Sequence, residues 1–300
     1  MNKKFGLGVL VTGMAIAGTL VAEVKPADAF VVHNGWNYSM DAHNDSTPFK
    51  RDGTGKFEIR GMAYKVIGEK AYFAINSNVD LNNGVTWDED TAADYRSRAA
   101  DDDRVDFGDI LINFTGESLD QANGDLFGIR FAAGNDSGVS ELGVYSNVNA
   151  ASVGGSNAGW SSMNKYNNYV LGKNVTPTIG DLAYNDSYFD LSRSPANSIS
   201  SGTKVGDIEF LANLNDIGLD FDFFGNVGSN LIAFTFDAGL LPSGKALYHL
   251  AMECNNDIVA GYYDSPSNTT DVPTPAAILP AILGMFGAAS RKKNQGQAEA

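Results

Sequence analysis

Residues 57–76, Phe-Glu-Ile-Arg-Gly-Met-Ala-Tyr-Lys-Val-Ile-Gly-Glu-Lys-Ala-Tyr-Phe-Ala-Ile-Asn, read as two strands folded back on each other at Gly68-Glu69. Glycine in the first central position suits a type II′ turn, whose twist matches that of the strands it joins. Within the first strand the apolar phase slips. Phe57 and Ile59 share one face, whereas Met62, Tyr64 and Val66 share the other. A β-bulge near Gly61, one extra residue in the strand, reconciles the two halves.

The same period of two recurs outward from this hairpin. Ile110, Ile112 and Phe114 alternate with Leu111 and Asn113, and Phe127, Ile129 and Phe131 with Gly128 and Arg130. Ile232, Phe234 and Phe236 share a face, as do Ile217, Leu219, Phe221 and Phe223 opposite Asp216, Gly218, Asp220 and Asp222. Such alternation predicts one buried and one solvated face per strand. Helical signal is weak: residues 92–100 fit a turn or two, and little else is expected. No repeat of twenty to fifty residues is evident, which excludes a solenoid. Many short strands separated by turns predict an all-β fold, an antiparallel β-sandwich of jelly-roll type. One β-rich domain over 30–263 would lead into a proline-stiffened linker at 264–275.

Charged residues make up 19 % and hydrophobic ones 43 %, the balance of a globular rather than a disordered chain. The formal net charge is −15, and the two ends are net positive, so the middle is more negative still. A surface of that sign repels nucleic acid and anionic lipid and attracts cations. The one cysteine, Cys254, excludes an internal disulfide. It is expected to be buried as a small hydrophobe.

The ends carry their own signals. Lys3 and Lys4 precede an uncharged, mostly apolar run from Phe5 to Ala22, and Ala27-Asp28-Ala29 supplies a small–x–small cleavage pattern. Residues 1–29 therefore read as a flexible signal peptide, with Phe30 as the mature N-terminus. At the other end Pro273-Thr274-Pro275-Ala276 leads into an apolar run to Ala289, then Arg291-Lys292-Lys293. Basic residues beside an apolar segment stay on the cytoplasmic side, placing the domain outside. As a helix the run from Ala276 reaches about 21 Å, short of a hydrocarbon core of about 30 Å. Residues 276–300 thus read as a short apolar helix with a basic tail, suited to temporary anchoring.

These three parts in order resemble the PTPA variant of the PEP-CTERM sorting signal of cyanobacteria. The resemblance implies recognition by an exosortase, a membrane protease-transferase, followed by release or attachment at the cell surface, often with exopolysaccharide. The stretches His33-Asn-Gly-Trp-Asn-Tyr-Ser-Met-Asp-Ala-His-Asn-Asp45, Phe127 to Val148 and Ala246 to Gly261 are similar to exosortase-dependent surface proteins of the XDD type. That likeness implies an exported surface protein and brings no enzymatic activity or site residues.

Candidate chemistry in the domain is sparse. Asp220 and Asp222 on one strand would lie roughly 7 Å apart, a spacing that inverting glycosidases use. A solvated strand face explains them better, as it does Asp207 and Glu209. A strand through 247–254 would put His249 and Cys254 on opposite faces, against a dyad. Three histidines make a His-rich zinc site a poor fit. No nucleophile elbow, P-loop or dinucleotide fingerprint occurs, so no catalytic residue is assigned. Residues 88–109 hold nine acids and read as a solvated acidic loop. The alternative is a calcium loop, with Asp101, Asp102, Asp103 and Asp106 as ligands. Trp36 and Tyr38, Trp87, and Trp160 with Tyr166 and Tyr169, lie near amides and acids. Rings and amides of this kind bind sugars, so Trp160, Tyr166 and Tyr169 form a candidate glycan face, with packing as the alternative. The expectation is a surface or matrix structural/interaction protein, with a carbohydrate-binding module and a secreted glycoside hydrolase as alternatives.

Overall fold

A computed structural model describes residues 31–86, 104–214 and 217–265. In chain order the strands are β1 (Val31–His33), β2 (Trp36–Met40), β3 (Ile59–Ile67), β4 (Lys70–Ser77), β5 (Val85–Thr86), β6 (Arg104–Val105), β7 (Ile110–Asn113), β8 (Leu126–Arg130) and β9 (Gly143–Ala151). Helix α1 (Met163–Gly172) follows. Then come β10 (Ser198–Gly206), β11 (Glu209–Phe210), β12 (Asn230–Asp237), β13 (Gly244–Ala251) and β14 (Ile258–Ser265). Two six-stranded antiparallel sheets result, ordered β1-β2-β3-β4-β12-β11 and β10-β9-β8-β7-β13-β14, with β5 and β6 paired alone. The chain is an all-β sandwich.

The hairpin of residues 57–76 forms as its sequence dictates. Gly68 sits at φ +60, in the region where side chains are strained and glycine is not. Pairing of β3 with β4 slips between Ile59 and Gly61, which places the bulge where the apolar phase changes. The jelly-roll expectation does not hold. Each sheet is a four-strand meander, β1 to β4 in one and β7 to β10 in the other, extended by the later pairs β11–β12 and β13–β14. A jelly roll is instead built from two Greek keys.

Between the sheets Phe73, Phe234 and Phe236 meet Ile110, Ile112, Ile129 and Tyr248. Phe73 stacks on Phe234 with centroids 6.1 Å apart and meets Tyr248 edge-on at 5.5 Å. Tyr64 of β3 and Tyr263 of β14 pack across the gap at 4.1 Å. The one-wet-face expectation is corrected for the central strands, because loops and helix α1 cover them on both outer faces, while most of β10 and both residues of β11 stay exposed or half-buried. On the second sheet, Leu119, Met163, Ile179, Leu182 and Phe189 bury Leu111, Val148, Ile199 and Ala260. On the first, Phe221 and its neighbours bury Trp36, Tyr38, Ala63 and Ala74. All four residues of β7 are consequently buried.

Residues 217–223 do not form the expected strand. Gly218 turns at φ +71, and Asp222–Phe224 make a 3-10 turn. The Ile217 carbonyl accepts from Trp36 Nε1 at 2.9 Å, and the Asp220 amide donates to Tyr38 Oη at 2.8 Å. Helix α1 departs from the expectation of little helix. Ser162 caps it by accepting from the Lys165 amide, and Met163, Tyr166 and Val170 turn inward. Strand β14 extends two residues into the stretch read as a linker, Ser265 pairing with Gly244. Among the described residues no helix is long and apolar enough to cross a membrane.

Candidate functional site

The terminal signals (Ala27, Ala29 and Phe30; Pro273, Thr274, Pro275 and Ala276; Arg291, Lys292 and Lys293) lie outside the described residues, as do Trp87, Asp101, Asp102 and Asp103. Asp106 is described, and it is not part of a solvated loop. It is buried, its carboxylate pairs with Arg104, and its amide donates to Glu253 Oε2 at 2.8 Å. Asp109 is buried as well. Its Oδ1 accepts from Asn135 Nδ2 (2.8 Å), and its Oδ2 from the Ile199 amide (2.7 Å) and Ser137 Oγ (2.8 Å). The C-terminal end of the acidic run is therefore interior structure.

Trp160, Tyr166 and Tyr169 do come together, but they pack on one another. Trp160 lies 5.3 Å from Tyr169 and 6.3 Å from Tyr166. Its Nε1 donates to Thr47 Oγ1 at 2.8 Å, and buried Tyr166 donates its hydroxyl to the Asp45 carbonyl. Trp36 and Tyr38 are fully buried. The Asp220–Asp222 pair dissolves with its strand. Asp220 instead accepts from His33 Nε2 at 3.0 Å, and that partner holds its carboxyl below the usual range. Asp207 and Glu209 are exposed.

His249 and Cys254 go to different clusters. The Ala196 carbonyl can only accept, so His249 Nε2 carries the proton (3.0 Å) and Nδ1 accepts from the Tyr188 hydroxyl (3.2 Å). Burial pushes its pKa down to about 4. Cys254 is fully buried, and burial pushes its thiol well up.

Two features emerge that sequence reasoning did not find. The first is a surface cleft of about 620 Å³ bordered by Asn113, Glu117, Gln121, Asp186, Tyr188 and Tyr262. Amides, carboxylates and tyrosine rings converge there from the ends of β7, β13 and β14 and from two loops. The second is a knot of buried carboxylates at one end of the sandwich. Asp41 follows β2, Asp45 lies in the loop beyond it, Glu58 precedes β3 and Asp257 precedes β14.

The knot joins both sheets. Asp257 Oδ2 accepts from the Ile59 amide at 2.6 Å, and its Oδ1 from the Ile258 amide at 2.9 Å. Asp41 Oδ1 accepts from Thr178 Oγ1 (2.6 Å) and the Gly180 amide (3.1 Å). Asp45 Oδ2 accepts from the Thr178 amide (2.7 Å), and Glu58 Oε2 from Ser46 Oγ (2.6 Å). Asp41 Oδ2, Asp45 Oδ1 and Glu58 Oε1 are buried and have no hydrogen-bond partner among the described residues. One oxygen from each of Asp41, Asp45 and Asp257 lies within 4.8 Å of the others. Burial above all, then mutual repulsion, pushes the carboxyls of Asp41 and Asp257 well up. Burial likewise pushes Asp45 to about 6 and Glu58 to about 8.

No sequence spacing announces this group, because its members come from three separate stretches of the chain. The available signal is an acid set directly against strand-forming residues, as in Phe57-Glu58-Ile59 and Asp257-Ile258-Val259. Compared with protein-family models, curated proteins and solved structures, the chain matches none.

Proposed function

We propose that this is an exported structural or interaction protein of the cell surface or extracellular matrix, delivered by an exosortase-type sorting system. The observation that carries the reading is the pair of terminal signals, the cleavage pattern at Ala27-Asp28-Ala29 and the Pro273-Thr274-Pro275-Ala276 segment with its basic cluster. The sandwich supports it by occupying the residues between them. Its described strands run from Val31 to Ser265. The processing enzyme is then the first partner, met while the C-terminal segment is held transiently in the membrane.

The test is the mass and terminal peptides of the protein extracted from the surface of an exosortase-bearing cell. A chain starting at Phe30 and ending near Pro273–Ala276 supports the reading. A chain still ending at Ala300 overturns the sorting step.

A second reading, a carbohydrate-binding module, is favoured by the cleft. Sugar hydroxyls match the amides and carboxylates of Asn113, Gln121, Glu117 and Asp186, and Tyr262, 40 % exposed, offers a ring at the rim. Glycan-array binding that disappears in Tyr262→Ala while the fold is kept would carry it. Binding unchanged by that substitution, or none at all, would remove it.

A further inference from the structure

Four carboxylates without a matching set of cations are an unusual thing to bury. Burying an ionised carboxylate costs several kcal/mol unless it is paired, hydrogen-bonded or bound to a metal. This protein shows how it otherwise meets that cost. Asp109 receives donors on both oxygens, and Glu253 receives the amides of Asp106 and Asp136, one on each oxygen. Asp41, Asp45 and Glu58 differ: among the described residues each has donors on one oxygen only, leaving the other buried and unmatched. The cation acting on Glu58 is Arg60, whose Nη1 and Nη2 donate to Asn226 Oδ1 (2.9 Å) and the Gly53 carbonyl (2.7 Å).

We propose that Asp41, Asp45 and Asp257 form a divalent-cation site, for calcium, with the Glu58 carboxylate beside them, and that the ion ties the ends of the two sheets together. The donors are all oxygen, which selects a hard cation over zinc or copper. Calcium bonds oxygens at 2.3–2.6 Å, so two ligands of one ion lie at most about 5 Å apart. Asp41, Asp45 and Asp257 meet that limit within 4.8 Å. Magnesium demands near-ideal octahedral geometry and gives up its waters reluctantly, so a buried cage of protein carboxylates suits calcium better. The hydrogen bonds already present hold the carboxylates in place. Thr178 and the Gly180 amide orient Asp41 and Asp45, the Ile59 amide orients Asp257, and Ser46 orients Glu58. Two of these acids flank strands of the first sheet and Asp257 leads into the second, so an ion among them cross-links the sandwich.

The test is calcium titration of the full-length chain, stripped with EGTA, by calorimetry and by thermal melting. The expected result is one calcium per chain, with a dissociation constant between about 10⁻⁴ and 10⁻³ M, the range of extracellular modules. At about 100-fold excess over that constant, the melting temperature should rise by roughly 5–10 °C. Asp45→Asn and Asp257→Asn should each weaken binding at least tenfold, while exposed Asp207→Asn should not. In EGTA Asp45→Asn should melt no lower than the parent, since it removes a buried charge answered on one oxygen only, whereas Asp257→Asn gives up one of two backbone acceptors and should melt lower. Should either fail to fold, Asp41→Asn serves, with the expectations given for Asp45→Asn. Absence of binding in the parent overturns the proposal, as does stability that responds to protons and not to calcium. So does calcium binding retained in all three site variants, which would place the ion on the acidic surface.

Discussion

Asp109→Ala is the sharpest check on how the acidic run is used. The substitution removes the acceptor for the Ile199 amide and for Asn135 Nδ2, both in the interior. Ser137 Oγ also loses Asp109, but it has the Ile199 carbonyl at 3.3 Å as a second partner. Two donors are thus orphaned, at about 1–3 kcal/mol each. Against that loss, the desolvation of a buried carboxylate, which raises the Asp109 carboxyl, disappears with the side chain. The donors win because they reach both oxygens and one belongs to the backbone of β10, which cannot turn away. The net loss should be about 2–4 kcal/mol, or a fall of roughly 5–15 °C in melting temperature for a domain of this size. Urea unfolding at pH 7, followed by tryptophan fluorescence, measures it. A loss under about 0.5 kcal/mol, such as exposed Asp207→Ala should give, would refute the assignment of Asp109 to the interior.

His249 should make the protein acid-sensitive. Its folded pKa lies near 4, below the usual 6.5, so the unfolded state binds the extra proton and stability falls as pH drops between those values. The full effect is about 3 kcal/mol, and His249→Gln should lose correspondingly less between pH 7 and pH 4.5 in urea melts; parallel losses would count against it. Gly108→Ala should cost more than about 2 kcal/mol, because a Cβ there runs into the carbonyl oxygens of Asn197 and Ala251. Gly116→Ala meets no atom within 4 Å and should cost only the strain of φ +78, about 1 kcal/mol, so equal melting temperatures for the two variants would contradict the packing. Cys254 should resist a thiol reagent until the chain unfolds, its alkylation rate following urea unfolding; fast labelling of the native protein would show that the residue is not interior.

What could be read from the chain was local. The hairpin of 57–76 was legible because its turn, its alternation and its bulge lie within twenty residues. Helix α1 had a signal too, Ser162 followed by Met163, Tyr166 and Val170, but four intervening Asn and Lys residues diluted it. The order of strands was not legible, since the pairing of β12 with β4 depends on residues far apart in sequence. Nor were the covered outer faces, because Leu119, Ile179 and Phe221 reach the sheets from loops whose path no alternation records.

Acids show the difference most directly. Composition drew attention to residues 88–109, where carboxylates are many, and treated their number as the signal. In the folded chain the informative property is the environment of each oxygen. Asp106 and Asp109 belong to the acidic run and are held by Arg104, Asn135, Ser137 and the Ile199 amide, so their charge is already answered. Asp41, Asp45 and Glu58 attract no notice in the sequence, yet each carries a buried oxygen that nothing among the described residues matches. A carboxylate in that state must take up a proton or a cation. A proton can neutralise one carboxylate or be shared by two, whereas Asp41, Asp45 and Asp257 converge from both sheets on one small volume. A single divalent ion there answers several charges at once, and it does so without disturbing the hydrogen bonds that Thr178, Ser46 and the Ile59 amide already make.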